Sequence, residues 1–207
     1  MNFIEFINPG ILLKDVPLNL ISDLNFQLKN LNKKPYNEKL AGNIKNEYEF
    51  SNAHNILNNF LLDTCEEYNK KYDYIKTISF LTGDVPLVLQ KQDLWINFQK
   101  KYEFNPVHNH TGVYSFVIWL KVPFLMKDEI KLSPGNYSNK PVSGNFEILY
   151  TSALGETACM QLPVDKTFEG KMLFFPAKLS HQVYPFYSSD DERISISGNI
   201  KLKSNGN

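Results

Sequence analysis

At 207 residues, with 43% hydrophobic and 21% charged side chains, the chain is long enough to bury a substantial core. Its 22 basic side chains balance 22 acidic ones, so no basic excess calls for nucleic acid or an anionic membrane as an obligatory partner. The opening MNFIEFINPG lacks the basic start and apolar run of a secretory signal. The longest strongly apolar stretch, around Val113 to Leu120, is too short to span a bilayer. The expectation is a soluble cytoplasmic protein (host cytoplasm, if the sequence is viral).

Taken in chain order, residues 17–31 place Leu18, Ile21, Leu24, Leu28 and Leu31 at helical spacing behind Pro17. Residues 35–50 are polar and aromatic and read as loop. Residues 51–72 put Ile56, Leu57, Phe60, Leu61, Cys65 and Tyr68 on one helical face, with Ser51 or Asn52 as the expected cap. From about residue 76 the period changes. Segments 85–91, 94–99, 113–121, 145–151, 157–163, 170–176, 181–187 and 193–202 are short, β-branched and aromatic, and punctuated by Pro, Gly, Asn and Asp. The last of them, RISISGNIKL, alternates almost strictly and breaks phase at Gly198–Asn199. With no repeat or linker to divide the chain, the reading is one α+β domain over 1–207. Its helical part covers about 1–75 and packs on one sheet of a jelly-roll core over about 76–203. Cys65 and Cys159 share no metal-ligand spacing and are expected to be buried reduced thiols.

Four histidines are present. His54 falls on the second helical stretch and is read as structural. His108 and His110 lie in NPVHNHTG. In an extended segment, residues i and i+2 project to one face with Cα atoms roughly 6–7 Å apart, close enough for two imidazoles to share a metal ion. His181 follows much later in FFPAKLSHQVYP, and a jelly roll brings such distant strands face to face. Three ligands with positions left open is the geometry that non-haem iron needs. The only arginine among 21 lysines, Arg193, opens the final strand, with Ser195 in phase with it. A guanidinium so placed can grip a carboxylate in two-pronged fashion, the Ser195 hydroxyl adding a hydrogen bond. The plainer alternative is a surface ion pair with Asp190, Asp191 or Glu192. Asn97, in phase with Trp95 one strand earlier, is a further polar candidate, with packing as its alternative. Trp95, Trp119, Phe174 and Phe175 are expected in the core, and Pro176 is expected to shape the loop that delivers His181. Which of Tyr114 and Ser115 faces inward stays open.

The stretches WINFQKKYEFNPVHNHTGVYSFVIWLKVP, GKMLFFPAKLSHQVYPF and RISISGNI together resemble the 2-oxoglutarate/Fe(II)-dependent oxygenase superfamily, and more narrowly its phage and marine bacterial members. The resemblance covers about residues 92–202, with AGNIKNEYEF (41–50) adding a weaker likeness. It implies a double-stranded β-helix and Fe(II), 2-oxoglutarate and O2 as the cofactor set. It further implies that His108, His110 and His181 bind the metal, and that Arg193 and Ser195 hold the far carboxylate of 2-oxoglutarate. Asn97 would lie at the co-substrate's metal-binding end, and no catalytic group beyond the metal centre is required. The implied reaction is hydroxylation of a peptide side chain or small molecule. The departure is His110, where most members carry Asp or Glu. Either the site has three histidines, or a carboxylate such as Glu103 completes it, or the metal site has lost its oxygenase activity. Two rival classes also stand. One is a non-catalytic jelly-roll module holding structural zinc; the other is a three-histidine cupin dioxygenase that needs no 2-oxoglutarate. Nucleobase demethylation ranks below both, because that branch carries a second arginine and this chain has none.

Overall fold

The computed structural model describes residues 8–78, 86–132 and 137–203. Over these, the alternating segments become strands and the 3.6-period segments become helices. In order they are β1 (Leu12–Asp15), α1 (Leu18–Lys29), β2 (Asn46–Glu49), α2 (His54–Tyr72), α3 (Tyr74–Ile78), β3 (Leu87–Gln99), β4 (Asn105–His108), β5 (Tyr114–Lys121), α4 (Met126–Leu132), β6 (Phe146–Thr151), β7 (Thr157–Leu162), β8 (Lys171–Pro176), β9 (Ser180–Val183) and β10 (Arg193–Leu202). The strands form two antiparallel sheets, ordered β1-β8-β5-β10-β3-β2 and β4-β9-β6-β7. This is the jelly-roll core expected of an α+β chain.

The two faces of the larger sheet do different work. Ile194, Ile196 and Ile200 of β10 face the helices and pack with Leu57, Leu61, Cys65 and Tyr68 of α2. Tyr114 lies on that face too, against Tyr68 and Phe174. Ser115, one residue on, donates to Asn199 Oδ1 at 2.7 Å. Between the sheets, Val117, Trp119, Phe146, Ile148, Leu173 and Phe175 form a second apolar cluster. Val117, Trp119, Phe146 and Phe175 of that cluster also wall a cavity of about 180 Å³ whose other side is lined by polar residues.

Several expectations need correction. Residues 46–49, read as loop, form edge strand β2 beside β3. Segments 85–91 and 94–99 are one continuous strand from Leu87, while Val85 lies outside the described residues. Leu18 is exposed because it is the first residue of α1, and Ile21, Leu24, Leu28 and Leu31 carry the packing. Neither Ser51 nor Asn52 caps α2; they form a 3-10 turn that runs directly into the helix. Cys65 is buried as expected, but Cys159 is exposed on β7. His54 is structural, its Nε2 facing Leu89 O at 2.9 Å. Among the described residues, no helix is long and apolar enough to cross a membrane.

Candidate metal centre

β4 and β9 are adjacent strands of the smaller sheet, and their register sets His108 directly opposite His181. The ladder is irregular between Asn105 and His108; Pro106 lies in that gap and has no N–H to give. The strand ends at His108, so His110 is not held by a continuing extended segment as the spacing suggested. Its backbone N–H instead donates to Ala177 O at 2.8 Å, fastening the turn to the loop before His181. Gly112 then reverses the chain at φ +116, where a Cβ would meet Ile200 O at 2.9 Å. Glycine is needed here both for its left-handed backbone and for its lack of a side chain.

The three imidazoles converge. One ligand nitrogen from each of His108, His110 and His181 lies within 4.8 Å of the other two. Nε2 of His110 and Nε2 of His181 are 3.2 Å apart. Two nitrogens bound at right angles about 2.1 Å from one dication sit about 3 Å apart, so this pair is already spaced for a shared ion. Nδ1 of His108 faces Pro106 O at 2.7 Å, and Nδ1 of His181 faces Leu179 O at 2.9 Å. A carbonyl can only accept, so Nδ1 carries the proton in both rings and Nε2 keeps its lone pair. Phe146 stacks on His181 at 5.3 Å, and Trp95 lies 5.6 Å from His110. Burial pushes His110 and His181 down to about 3 and lowers His108 as well. All three are neutral near pH 7, the protonation state in which imidazole binds metal. Among the described residues no carboxylate or thiolate joins this group. Glu103 is engaged elsewhere, accepting from the backbone N–H groups of Lys45 and Lys100 at 3.0 and 2.7 Å.

Arg193 reaches the same cavity from β10 and is 2% exposed. The surface-pair alternative fails, because Asp190 and Asp191 pair with Lys101 and Lys121 instead. The guanidinium rests on neutral acceptors. Nε and one terminal nitrogen donate to Gln99 Oε1 at 3.1 and 2.7 Å, and the latter also reaches Tyr184 O at 3.3 Å. The other terminal nitrogen donates to Gly144 O at 2.9 Å. The rings of Phe124 and Phe186 lie beside it, with centroids 6.0 and 5.7 Å away. Burial lowers its pKa to about 10, partly opposed by Glu129, so the group stays charged at neutral pH. Glu129 acts on it from a distance, since none of the described carboxylates pairs directly with the guanidinium. A buried cation without a contacting anion is expensive to hold, and an anionic ligand reduces that penalty.

Ser195 and Asn97 also line the cavity, opposite one another on β10 and β3, with Asn97 Nδ2 donating to Ser195 Oγ at 3.3 Å. Asn97 Oδ1 is buried without a partner. Trp95, Trp119 and Phe175 are buried and border the cavity, whereas Phe174 belongs to the core under the helices. Pro176 ends β8, and its carbonyl accepts from Leu179 N at 2.9 Å in the turn that delivers His181. Sequence reasoning missed Glu47 and Gln99. Glu47 is 1% exposed, opposes Asn97 across β2 and β3, and is raised to about 7 by burial and by the charge of Glu103.

Residues 93–199 match the family described as "Putative 2OG-Fe(II) oxygenase". Among solved structures, the chain is similar to a Pseudomonas putida prolyl-4-hydroxylase, at 15% identity and TM-score 0.51 over 94% of each chain. It is also similar to an oxidoreductase of the 2OG-Fe(II) oxygenase family from Burkholderia pseudomallei (17% identity, TM-score 0.42, 75% of this chain and 60% of that one). A third similar structure is a Trichoplax adhaerens prolyl hydroxylase in complex with a hypoxia-inducible factor peptide fragment (11% identity, TM-score 0.49, 94% and 83% covered). No curated protein matches the sequence. The Pseudomonas likeness bears on the fold alone, while the family match spans half of the chain and takes in all three clustered histidines and the buried arginine. The chain therefore belongs to the 2-oxoglutarate/Fe(II)-dependent oxygenases, dioxygenases that work with Fe(II), 2-oxoglutarate and O2.

Proposed function

We propose that the protein hydroxylates a peptide side chain or small molecule, with Fe(II) held by His108, His110 and His181 and 2-oxoglutarate held by Arg193, Ser195 and Asn97. The observation that carries this reading is one cavity that joins three neutral imidazoles to a buried guanidinium whose direct contacts are all neutral acceptors. When bound, iron would let O2 act as the oxidant, with two electrons from conversion of 2-oxoglutarate to succinate and CO2 and two from the hydroxylated substrate. The protein's part is to bind, orient and exclude water. Pro106 O and Leu179 O fix the rings of His108 and His181, and the Phe146 and Trp95 faces hold His181 and His110.

Three neutral ligands leave the dication's charge uncompensated, which favours a dianionic co-substrate over a neutral one. Four of the five guanidinium N–H donors of Arg193 are already engaged. A carboxylate arriving there takes the remaining terminal N–H together with Ser195 Oγ, and gains the two-pronged grip only if Gln99 turns away. A structural zinc site calls for a fourth protein ligand. Cys65 is buried in the helical layer and Cys159 is exposed on β7, so neither belongs to the histidine group.

The test is succinate formation from 2-oxoglutarate by the iron-loaded protein under air with ascorbate. Succinate that depends on Fe(II) and disappears in the His181→Ala variant supports the reading. Metal binding without any succinate, with or without candidate substrates, moves the protein to the zinc-module class.

A further inference from the structure

Glu47 takes no part in the chemistry assigned so far, yet it lines the same cavity. It is carried by β2, two strands from Arg193, at the edge where the larger sheet meets β4. The edges are tied there by a bridge between Asn43 and Phe104. One carboxylate oxygen, Oε2, accepts from Asn37 Nδ2 at 3.2 Å, while Oε1 accepts from no described residue. Asn105, three residues before His108, also borders the cavity, and its Oδ1 is buried without a donor. The two free oxygens turn to one place beside Gly42. A Cβ on Gly42 would lie 2.2 Å from Asn105 Oδ1 and 2.8 Å from Glu47 Oε1. Gly42 has no left-handed backbone to explain its identity; its contribution is the absence of a side chain.

We propose that Glu47 and Asn105 seat a cationic nitrogen group of the substrate, a guanidinium or primary ammonium, so that the enzyme acts on a basic amine or guanidine compound, free or as a side chain. This deepens the oxygenase reading and rests on it. Two acceptors, one of them a carboxylate oxygen, meet beside Gly42 where none of the described residues donates to them, and acceptors of this kind are normally satisfied. A ligand bringing only neutral donors would leave the carboxylate's charge uncompensated in the interior. A cation supplies both the donors and the charge. Glu47 sits close to neutrality in its titration, so an arriving cation also draws it fully into the ionised form. Two cationic side chains line the cavity besides, and neither occupies this place. Arg193 is committed to Gln99, Gly144 and Tyr184, and Lys39 is exposed at the rim with Nζ over the Tyr36 ring at 4.7 Å.

Methylguanidinium and methylurea test this directly, since they share shape and donors but differ in charge. Binding of each to the zinc-substituted, 2-oxoglutarate-loaded protein is measured by saturation-transfer NMR on the methyl protons. The wild type is expected to bind methylguanidinium at least ten-fold more tightly than methylurea. Glu47→Gln is expected to erase that preference. Gly42→Ala keeps the charge but displaces both oxygens, and it is expected to weaken methylguanidinium at least ten-fold, so the proposal stays testable if one variant fails to fold. Equal binding of the two probes, no binding of either, or an undiminished preference in folded Glu47→Gln overturns the proposal. Loss of 2-oxoglutarate binding by the wild type is a separate outcome, which overturns the oxygenase reading on which the proposal rests.

Discussion

Replacing Arg193 by Met separates what the guanidinium does for the fold from what it does for the ligand. Burial lowers its pKa from 12.5 to about 10, which corresponds to about 3 kcal/mol spent on holding the charge in the folded state. Methionine removes that penalty and keeps an unbranched apolar stem beside Phe124 and Phe186. Against this, Gln99 Oε1, Gly144 O and Tyr184 O lose their donors, at about 1–3 kcal/mol for each acceptor left dry. The three acceptors together cost about 3–9 kcal/mol against a relief of about 3, so the ligand-free variant is expected to lose at most about 6 kcal/mol in urea unfolding. Affinity behaves differently. A charge-assisted hydrogen bond contributes about 1.5–3 kcal/mol, so 2-oxoglutarate is expected to bind about 10- to 150-fold more weakly. Calorimetric titration of the zinc-loaded protein with 2-oxoglutarate reads this directly. A variant that folds and binds 2-oxoglutarate as tightly as wild type refutes the role given to Arg193.

Other outcomes follow from the same geometry. Glu47 is raised from 4.5 to about 7, so the folded protein binds more protons than the unfolded chain between those values and loses stability as pH rises through that window. Glu47→Gln should therefore raise the melting temperature at pH 8, with a gain of up to about 3 kcal/mol, and bring little change at pH 4.5; a variant less stable than wild type at pH 8 contradicts this. Gly112→Ala forces a side chain into φ +116 against Ile200 O and should destabilise by about 1–3 kcal/mol while weakening metal binding through the displaced His110 turn. Unaltered zinc affinity in that variant speaks against His110 as a ligand. Zinc at about 100 times its dissociation constant should stabilise the wild type by about 2.7 kcal/mol, reversibly with chelator, and His181→Ala should abolish the effect. His54→Gln should retain it in full, since His54 contacts Leu89 and Asn55 rather than the cavity.

The parts of the site that sequence made legible are those whose chemistry is rare in this chain. A solitary arginine in phase with Ser195 and a paired histidine motif ahead of a strand stand out against a lysine- and asparagine-rich background. What stayed hidden depends on register. Gln99 matters because it opposes Arg193 across β10 and β3, and no local pattern announces that. Glu47 belongs to a four-residue strand whose inward side chain meets the cavity instead of the apolar core, so the usual alternation is blurred. The reach of His110 was anticipated, though by the wrong device: a loop tied to Ala177 and turned at Gly112 does what an extended strand was expected to do. Strand β10 was easier to read, because its helix-facing isoleucines alternate with the cavity-facing Arg193, Ser195 and Ser197.

The central claim is tested most directly by anaerobic absorption titration of the Fe(II)-loaded protein with 2-oxoglutarate. A visible metal-to-ligand charge-transfer band should grow to one equivalent, be absent with zinc, and vanish when His108, His110 or His181 is replaced by Ala. A protein that takes up Fe(II) yet develops no band, or a band that survives the loss of His110, contradicts the three-histidine centre.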